Sequence, residues 1–177
     1  MSEKMRVQKK AMERNDEIAG QNRRSFKSHG LGVINMIGSP GSGKTAILEV
    51  MGKKMGRELA VITGDIRTTL DADRITKAGA CAIQIETGGA CHLTAMMVRD
   101  ALRSIDLDGV RLLAIENVGN LVCPSACDLG ETMKVAVLSV AEGDEKPVKY
   151  PELFVRAGAI VITKTDLLPH VRFDLER

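Results

Sequence analysis

Residues 38–45, with the sequence GSPGSGKT, match the pattern G-x-x-x-x-G-K-[ST] of a phosphate-binding loop. The loop follows an apolar, strand-like run at 31–37 and precedes a helix-like segment at 46–55, which is the context that the motif requires. Glycines allow successive backbone N–H groups to turn inward around a polyphosphate, and the following helix N-terminus adds partial positive charge. Lys44 is expected to reach the β- and γ-phosphates, and the Thr45 hydroxyl to bind Mg²⁺. The predicted nucleotide contacts are Gly38, Gly41, Ser42, Gly43, Lys44 and Thr45.

Composition narrows the remaining possibilities. A chain of 177 residues has the length of one domain, and a net charge of only +2 gives no electrostatic support to nucleic-acid or anionic-membrane binding. The four aromatic residues are too few and too scattered for a base-stacking platform. No apolar run approaches the roughly 20 residues of a membrane span, and the N-terminus lacks a signal peptide's apolar core. We therefore expect a cytoplasmic protein with no nucleic-acid or membrane partner, whose cysteines are thiols rather than disulfides.

Residues 1–30 are predicted to form an N-terminal helical arm separate from the domain at 31–177. Residues 3–28 carry eight basic and four acidic side chains, a net charge of +4. Met5, Met12, Ala19 and Phe26 recur every seven residues and form a narrow apolar stripe, while Gly20 weakens the helix in its middle. Two interpretations stay open: the arm packs on its own domain or frays, or it docks a partner protein.

After the arm, short apolar runs alternate with helix-like segments. This alternation predicts an α/β fold, with a mostly parallel sheet covered by helices on both faces. Ligand residues are then expected on the loops at the carboxyl ends of the strands. The predicted strands are 32–37, 59–63, 81–85, 111–115, 134–140 and 159–163, and the predicted helices are 44–55, 71–78, 92–105 and 151–157.

Three carboxylates follow predicted strands on the phosphate side. Glu116, with Gly119 three residues later, matches the pattern that senses Mg²⁺ and the γ-phosphate, because the glycine N–H can bond that phosphate. Asp65 and Asp71 are candidates to bind Mg²⁺ or to position the attacking water. An equal alternative for Asp71 is the N-cap of its helix. Arg67 and Arg74 are conceivable charge stabilisers, which the sequence alone does not support.

Residues 163–166, with the sequence TKTD, follow the last predicted strand and resemble the guanine-binding motif N-K-x-D, with Thr163 in place of Asn. The Asp166 carboxylate can accept hydrogen bonds from guanine N1–H and the 2-amino group together. Adenine presents an acceptor at N1 and would leave this carboxylate unpaired. Lys164 would lie along the base plane. The alternative is an ordinary charged turn at the end of a strand.

Cys91, His92 and Cys123 are candidate ligands for Ni²⁺ or Zn²⁺, since thiolate and imidazole suit these ions. The N-terminus of the predicted helix at 92–105 would lower the pKa of the Cys91 thiol. Two copies of the chain would present four cysteines and two histidines to a shared site. The alternative is that these are unrelated core residues. Cys127 has no supporting motif, and Cys81 is expected to be core packing.

Together these segments resemble the HypB family of hydrogenase nickel-incorporation GTPases, within the class of dimeric P-loop NTPases that includes the urease accessory GTPases. The resembling segments cover nearly all of residues 30–168: IGSPGSGKT (37–45), GDIRTTLDADRI (64–75), ETGGACHLTA (86–95), IENVGNLVCP (115–124), DLGE (128–131), EGDEKPVKYPELF (142–154) and TKTDLL (163–168).

The resemblance implies a slow GTPase that binds GTP, GDP and Mg²⁺ and delivers nickel to the [NiFe]-hydrogenase large-subunit precursor. It implies a HypA-type zinc-bearing partner, docking by the arm, and GTP-promoted homodimerisation. Cys91, His92 and Cys123 fall on the family's metal-binding positions. Lys149 falls on a position that in similar proteins reaches the nucleotide bound by the partner subunit.

The sequence also departs from the family pattern. Residues 1–30 hold no cysteine and only His29, so a second, high-affinity nickel site is not expected. The family's last helix, last strand and second guanine-contact loop have no counterpart up to Arg177, and these elements are expected to be missing here. Alternatives are a urease-type nickel-insertion GTPase, which carries Cys-Pro-His where this chain has Cys91-His92-Leu93, an ATP-dependent P-loop kinase or ligase, and a metal store with bound nucleotide.

Overall fold

The computed structural model of the protein describes residues 3–65 and 70–176. The strands are β1 (Gly32–Gly38), β2 (Leu59–Asp65), β3 (Cys81–Glu86), β4 (Leu112–Glu116), β5 (Met133–Ser139) and β6 (Ala159–Thr163). The helices are α1 (Glu3–Ser28), α2 (Lys44–Met55), α3 (Leu70–Lys77), α4 (Ala95–Leu102), α5 (Cys123–Ala126), α6 (Lys146–Lys149) and α7 (Pro151–Arg156). Short 3₁₀ turns lie at Gly56–Glu58, Val140–Glu142 and Thr165–His170.

The six strands form one sheet in the order β3-β2-β4-β1-β5-β6, and all five neighbouring pairs are parallel. The predicted α/β architecture is therefore confirmed. Side chains alternate between two apolar layers, because successive residues of a strand point to opposite faces. In β2, Ala60 and Ile62 face the layer that includes α4, while Leu59 and Val61 face the layer that includes Leu48 of α2. The sheet thus has helices on both faces.

All six predicted strands and the predicted helix at 44–55 are confirmed, but the helix predicted at 92–105 is wrong at its start. It begins at Ala95, where the Thr94 side chain caps it by accepting the Met97 N–H at 3.3 Å. Cys91 and His92 consequently lie in the loop before α4. Cys81, expected in the core, is exposed, since it begins the edge strand β3.

The C-terminal half of α1 packs on the domain. Ala19 and Phe26 of the predicted stripe are buried, while Met12 is 52% exposed. Asn22 Nδ2 donates to the Ala95 carbonyl at 2.8 Å and to the Leu129 carbonyl at 3.0 Å. The helix runs through Gly20 without a break. These contacts favour packing on the chain's own domain for this half; docking of a partner stays a prediction.

Two residues named in the sequence analysis cannot be followed further: Arg67 and the side chain of Met5 lie outside the described residues. Among the described helices, none has both the length and the apolar character needed to cross a bilayer.

Candidate functional site

The phosphate loop lies between β1 and α2, as the motif predicts. Gly43 has φ +98°, a left-handed conformation that favours glycine, and α2 begins at the next residue. Lys44 is buried and folds back over the loop, donating from Nζ to the carbonyls of Gly38 and Ser39, each at 3.1 Å. The phosphate loop is therefore compact, and the ammonium group of Lys44 lies within it.

A cavity of about 500 Å³ opens above this loop. Six residues predicted from the sequence to serve phosphoryl chemistry line it together: Lys44, Thr45, Asp65, Asp71, Glu116 and Gly119. A larger cavity of about 850 Å³ lies between α1 and the loop after α4, where it includes Phe26 and Arg99 but none of the predicted site residues. We locate the candidate chemistry in the smaller cavity, because the phosphate loop and the carboxylates predicted to act with it line that cavity together.

Glu116 ends β4 at the floor of the cavity. The Thr45 hydroxyl donates to its Oε1 at 2.8 Å, and its buried Oε2 has no hydrogen-bond partner among the described residues. Burial raises the pKa of Glu116 to about 7. A buried oxygen without a partner is costly unless a cation or donor meets it. Mg²⁺ prefers oxygen ligands, so the Thr45 hydroxyl and the Glu116 carboxylate fit this ion.

Asp71 and Arg74 of α3 also line the cavity. Asp71 lies within the first turn of α3, so the N-cap alternative is wrong. Arg74 binds Glu49 at 2.6 Å and Asp71 at 3.4 Å. Its guanidinium is thus already engaged in ion pairs, which gives no support to a role in charge stabilisation.

Gly119 lies directly against the phosphate loop. A Cβ atom on Gly119 would lie 2.7 Å from Pro40 Cγ and 2.9 Å from the Pro40 nitrogen, so a larger residue would displace the loop. The segment from Glu116 to Gly119 therefore contacts both the Thr45 side chain and the backbone that would surround a phosphate.

The predicted base-binding residues follow β6. Lys164 is the one non-glycine residue with positive φ among the described residues, at +56°, and Asp166 lies exposed in the next 3₁₀ turn. Thr163 Oγ1 donates to the Ser42 carbonyl at 2.6 Å, which ties this loop to the phosphate loop. The sequence analysis noted Thr163 only as a replacement of the motif's Asn and missed this hydrogen bond; the hydroxyl itself was the available signal.

Lys149 lies apart from the cavity. It is fully exposed at the end of α6, where Glu145 raises its pKa by a hydrogen bond. It does not line the cavity above the phosphate loop, so its predicted contact with the nucleotide of a partner subunit stays a prediction.

The three candidate metal ligands come together from two parts of the chain: Cys91 and His92 lie in the loop before α4, and Cys123 begins α5. One ligand atom from each of Cys91, His92 and Cys123 falls within 4.8 Å of the others, and Cys91 Sγ lies 3.4 Å from His92 Nδ1. Burial lowers the pKa of His92, which favours the neutral imidazole that binds metals. Two sulfurs and one nitrogen fit Ni²⁺ or Zn²⁺.

The expected lowering of the Cys91 pKa is wrong. A hydrogen bond with Cys123, with a smaller contribution from burial, raises the pKa of this thiol, and α4 begins too far along the chain to oppose it. Cys127 lies outside the cluster, half-buried, with its pKa raised to about 11 by burial.

Two asparagines that the sequence analysis did not single out join the loops. Asn117 Oδ1 accepts the Leu93 N–H at 3.1 Å, and Asn120 Nδ2 donates to the Cys91 carbonyl at 3.2 Å. Asn117 Nδ2 in turn donates to Asn35 Oδ1 at 3.1 Å. Asn35 was the available signal, since it is the one polar residue of the otherwise apolar strand β1.

A parallel sheet with a glycine-rich loop, lysine and threonine between its first strand and the next helix defines a P-loop nucleotide-binding protein. A solved structure of the signal recognition particle 54 kDa protein from Aeropyrum pernix, in complex with GDP, has this fold, with a TM-score of 0.58 at 15% identity over 77% of this chain and 36% of that one. At that identity the likeness concerns the fold alone.

The chain belongs to the CobW/HypB/UreG family, whose nucleotide-binding domain matches residues 32–177. It is 51% identical to hydrogenase maturation factor HypB of Azotobacter vinelandii over 99% of this chain and 58% of that protein. It thus spans a little over half the length of that relative. The crystal structure of HypB from Helicobacter pylori in complex with nickel gives a TM-score of 0.89 at 42% identity, covering 92% of this chain and 78% of that one. The family resemblance drawn from the motifs is therefore confirmed.

Proposed function

We propose that the chain is the nucleotide-binding part of a GTP-hydrolysing nickel chaperone for [NiFe]-hydrogenase maturation, in which GTP-dependent dimerisation is coupled to metal binding. One observation carries the proposal: a single short segment, 116–123, contacts both sites. It begins with Glu116, bonded to Thr45, presses Gly119 against Pro40, and ends with Cys123 in the metal cluster. A change at the terminal phosphate therefore has a direct path to a nickel ligand.

Hydrolysis is assigned to the residues of the smaller cavity. Lys44 would neutralise charge on the β- and γ-phosphates, and Asp65 or Asp71 would position the attacking water. Mg²⁺, held by Thr45 and Glu116 with Asp65 nearby, supplies further charge neutralisation when bound. Arg74 is the one arginine among the described residues that lines this cavity, and it is held in ion pairs with Glu49 and Asp71, so intrinsic turnover is expected to be slow.

Guanine selectivity is assigned to Asp166, with Lys164 beside the base. The Asp166→Asn substitution replaces an acceptor with an amide that can donate, so it should lower GTP affinity and favour xanthine nucleotide. Unchanged GTP binding in this variant, or displacement of GTP by ATP in wild type, would reject the assignment and favour an ATP-dependent enzyme.

Dimerisation would complete both sites. The exposed Lys149 would leave Glu145 for the nucleotide of the second subunit, and each copy would add its two thiols and one imidazole to a shared metal site. The delivered ion is Ni²⁺, with Zn²⁺ as a competitor for the same donors. A HypA-type accessory protein and the hydrogenase large-subunit precursor are the proposed partners, in the cytoplasm.

Sedimentation tests the proposal most directly. Wild type, Cys91→Ala and the control Cys81→Ala are compared with GTPγS or GDP, with and without Ni²⁺. We expect dimers with GTPγS and loss of nickel binding in Cys91→Ala alone, because Cys81 is exposed outside the cluster. A monomer under every condition would remove the shared-site model.

A further inference from the structure

The loop that carries His92 is held at both ends by amide side chains from the segment 116–123. On its C-terminal side, Leu93 N–H donates to Asn117 Oδ1 at 3.1 Å; on its N-terminal side, the Cys91 carbonyl accepts from Asn120 Nδ2 at 3.2 Å. His92 lies between these two hydrogen bonds. The positions of Cys91 and His92 therefore depend on two asparagines that are not themselves metal ligands.

Asn117 is bound to the centre of the sheet. It is 1% exposed, its N–H donates to the Met36 carbonyl at 3.0 Å, and its Nδ2 donates to Asn35 Oδ1 at 3.1 Å. Asn35, in the central strand β1, donates in turn to Glu131 Oε1 at 3.3 Å. A buried, fully connected amide network of this kind is rigid. The Leu93 end of the metal loop is thus fixed to the sheet.

Asn120 has the opposite surroundings. It is only partly buried, it follows Gly119, which lies against Pro40 of the phosphate loop, and its Oδ1 accepts the Val122 N–H at 2.9 Å. That second bond links it to the turn that leads into Cys123. The Cys91 end of the metal loop is thus attached to the part of the segment that follows the phosphate loop.

We propose that Asn120 is a positioning residue that transmits the nucleotide state to the metal loop, while Asn117 is its fixed anchor. The proposal rests on the coupling proposed above. When residues 119–123 shift with the terminal phosphate, Asn120 moves the Cys91 carbonyl together with Cys123. The Leu93 end stays in place, so the two sulfurs move relative to the His92 imidazole. Nickel affinity then changes with nucleotide state.

Nickel titrations of the full chain with GTPγS and with GDP test this, using the absorption of the nickel–thiolate bond as the signal. The quantity compared is the ratio of the two nickel dissociation constants. Asn120→Ala removes one neutral hydrogen bond between the loops and should bring the wild-type ratio toward one, by roughly two- to tenfold. Asn120→Asp keeps the acceptor for Val122 N–H but loses the donor to the Cys91 carbonyl, so its ratio should also move toward one, although the added charge tightens nickel binding in both states.

Asn15→Ala is the matched control. Asn15 also makes two backbone hydrogen bonds beside the metal loop, to the Asp128 carbonyl and from the Ala95 N–H, but from α1. It should weaken both affinities equally or not at all. If Asn120→Ala weakens both affinities and keeps the wild-type ratio, Asn120 is only structural and the inference is overturned. If wild type itself binds nickel equally with both nucleotides, the proposed function falls together with it.

Discussion

The nucleotide half and the metal half of the site lie at the same edge of the sheet but are built in different ways. The nucleotide half is centred on one continuous stretch of chain, the phosphate loop at 38–45, in which Ser42 and Lys44 are buried. The candidate metal half has no such continuous core, because Cys91 and His92 precede α4 while Cys123 begins α5, and Cys91 is exposed. A loop of contiguous backbone has its shape within one chain, whatever a second subunit would add to the site. Three side-chain donors with an exposed rim leave room for a fourth ligand from outside, and under the proposed function that is where the cargo ion would be exchanged.

Lys44→Ala should have the largest effect, and it should weaken nucleotide binding without changing metal binding. It removes charged hydrogen bonds to phosphate, each worth about 1.5–3 kcal/mol, so GTPγS affinity should fall at least about a hundredfold. Nickel binding without nucleotide should not change. Lys53→Ala, exposed on the same helix, is the matched control, and calorimetric titration measures both ligands. Loss of nickel binding in Lys44→Ala without nucleotide would mean that the halves are not separate.

Cys123→Ala is the reverse test. Nickel affinity should fall at least about a hundredfold, since loss of residues that only support a metal ligand already costs 10- to 100-fold, while GTPγS binding without nickel should stay at the wild-type level.

Wild-type nickel affinity should rise with pH, because the raised pKa of Cys91 means that nickel must displace a proton from this thiol. Equilibrium dialysis across a pH series measures both effects, with Cys81→Ala as control. A flat pH profile would contradict the thiolate assignment.

The same contrast explains what the sequence could predict. The phosphate loop was predictable residue by residue, because its geometry follows from closely spaced glycines at 38, 41 and 43 between a strand and a helix. The proximity of Cys91, His92 and Cys123 followed from strand ends meeting at one edge, but their local setting did not. The helix start depends on the Thr94 side chain, and the pKa of Cys91 depends on a thiol from another loop. Asn117 and Asn120 were missed because each acts through a backbone group distant in sequence.

Thr163→Val sharpens the comparison from the nucleotide side. The substitution preserves the shape of the side chain but removes the hydrogen bond from Thr163 Oγ1 to the Ser42 carbonyl. This bond joins residues 163–166, which contain the predicted base contacts, to the phosphate loop. One such bond is worth about 1 kcal/mol, so GTPγS affinity should fall about fivefold with no change in nickel binding. Thr163→Ser keeps the hydroxyl and should stay near wild type. Equal loss in both variants would assign the effect to packing instead.

Arg23→Ala should have the smallest effect, a small loss of stability that leaves the nucleotide half unchanged. Arg23 on α1 binds both carboxylate oxygens of Asp128, at 2.8 and 2.9 Å, next to the half-buried Cys127. Burial is the largest single influence and raises the pKa of Asp128. The hydrogen bonds from Arg23 and the Gly130 N–H, together with the charge of Arg23, outweigh it and leave the pKa below the usual 3.8. A lowered carboxylate pKa stabilises the fold above the unfolded value, and this contribution disappears as pH falls through the folded value. Because the pair is partly exposed, its loss should cost less than about 1 kcal/mol at neutral pH.

Urea unfolding of wild type, Arg23→Ala and the exposed neighbour Arg24→Ala measures this difference. The gap between wild type and Arg23→Ala should narrow as pH falls through the pKa of Asp128, and added salt should narrow it at neutral pH as well. GTPγS affinity should be the same in all three proteins, because α1 does not line the nucleotide cavity in the described part of the chain. A drop in GTPγS affinity in Arg23→Ala would mean that α1 influences the phosphate loop indirectly, through the residues packed between them. The nucleotide half and the metal half would then not be independent.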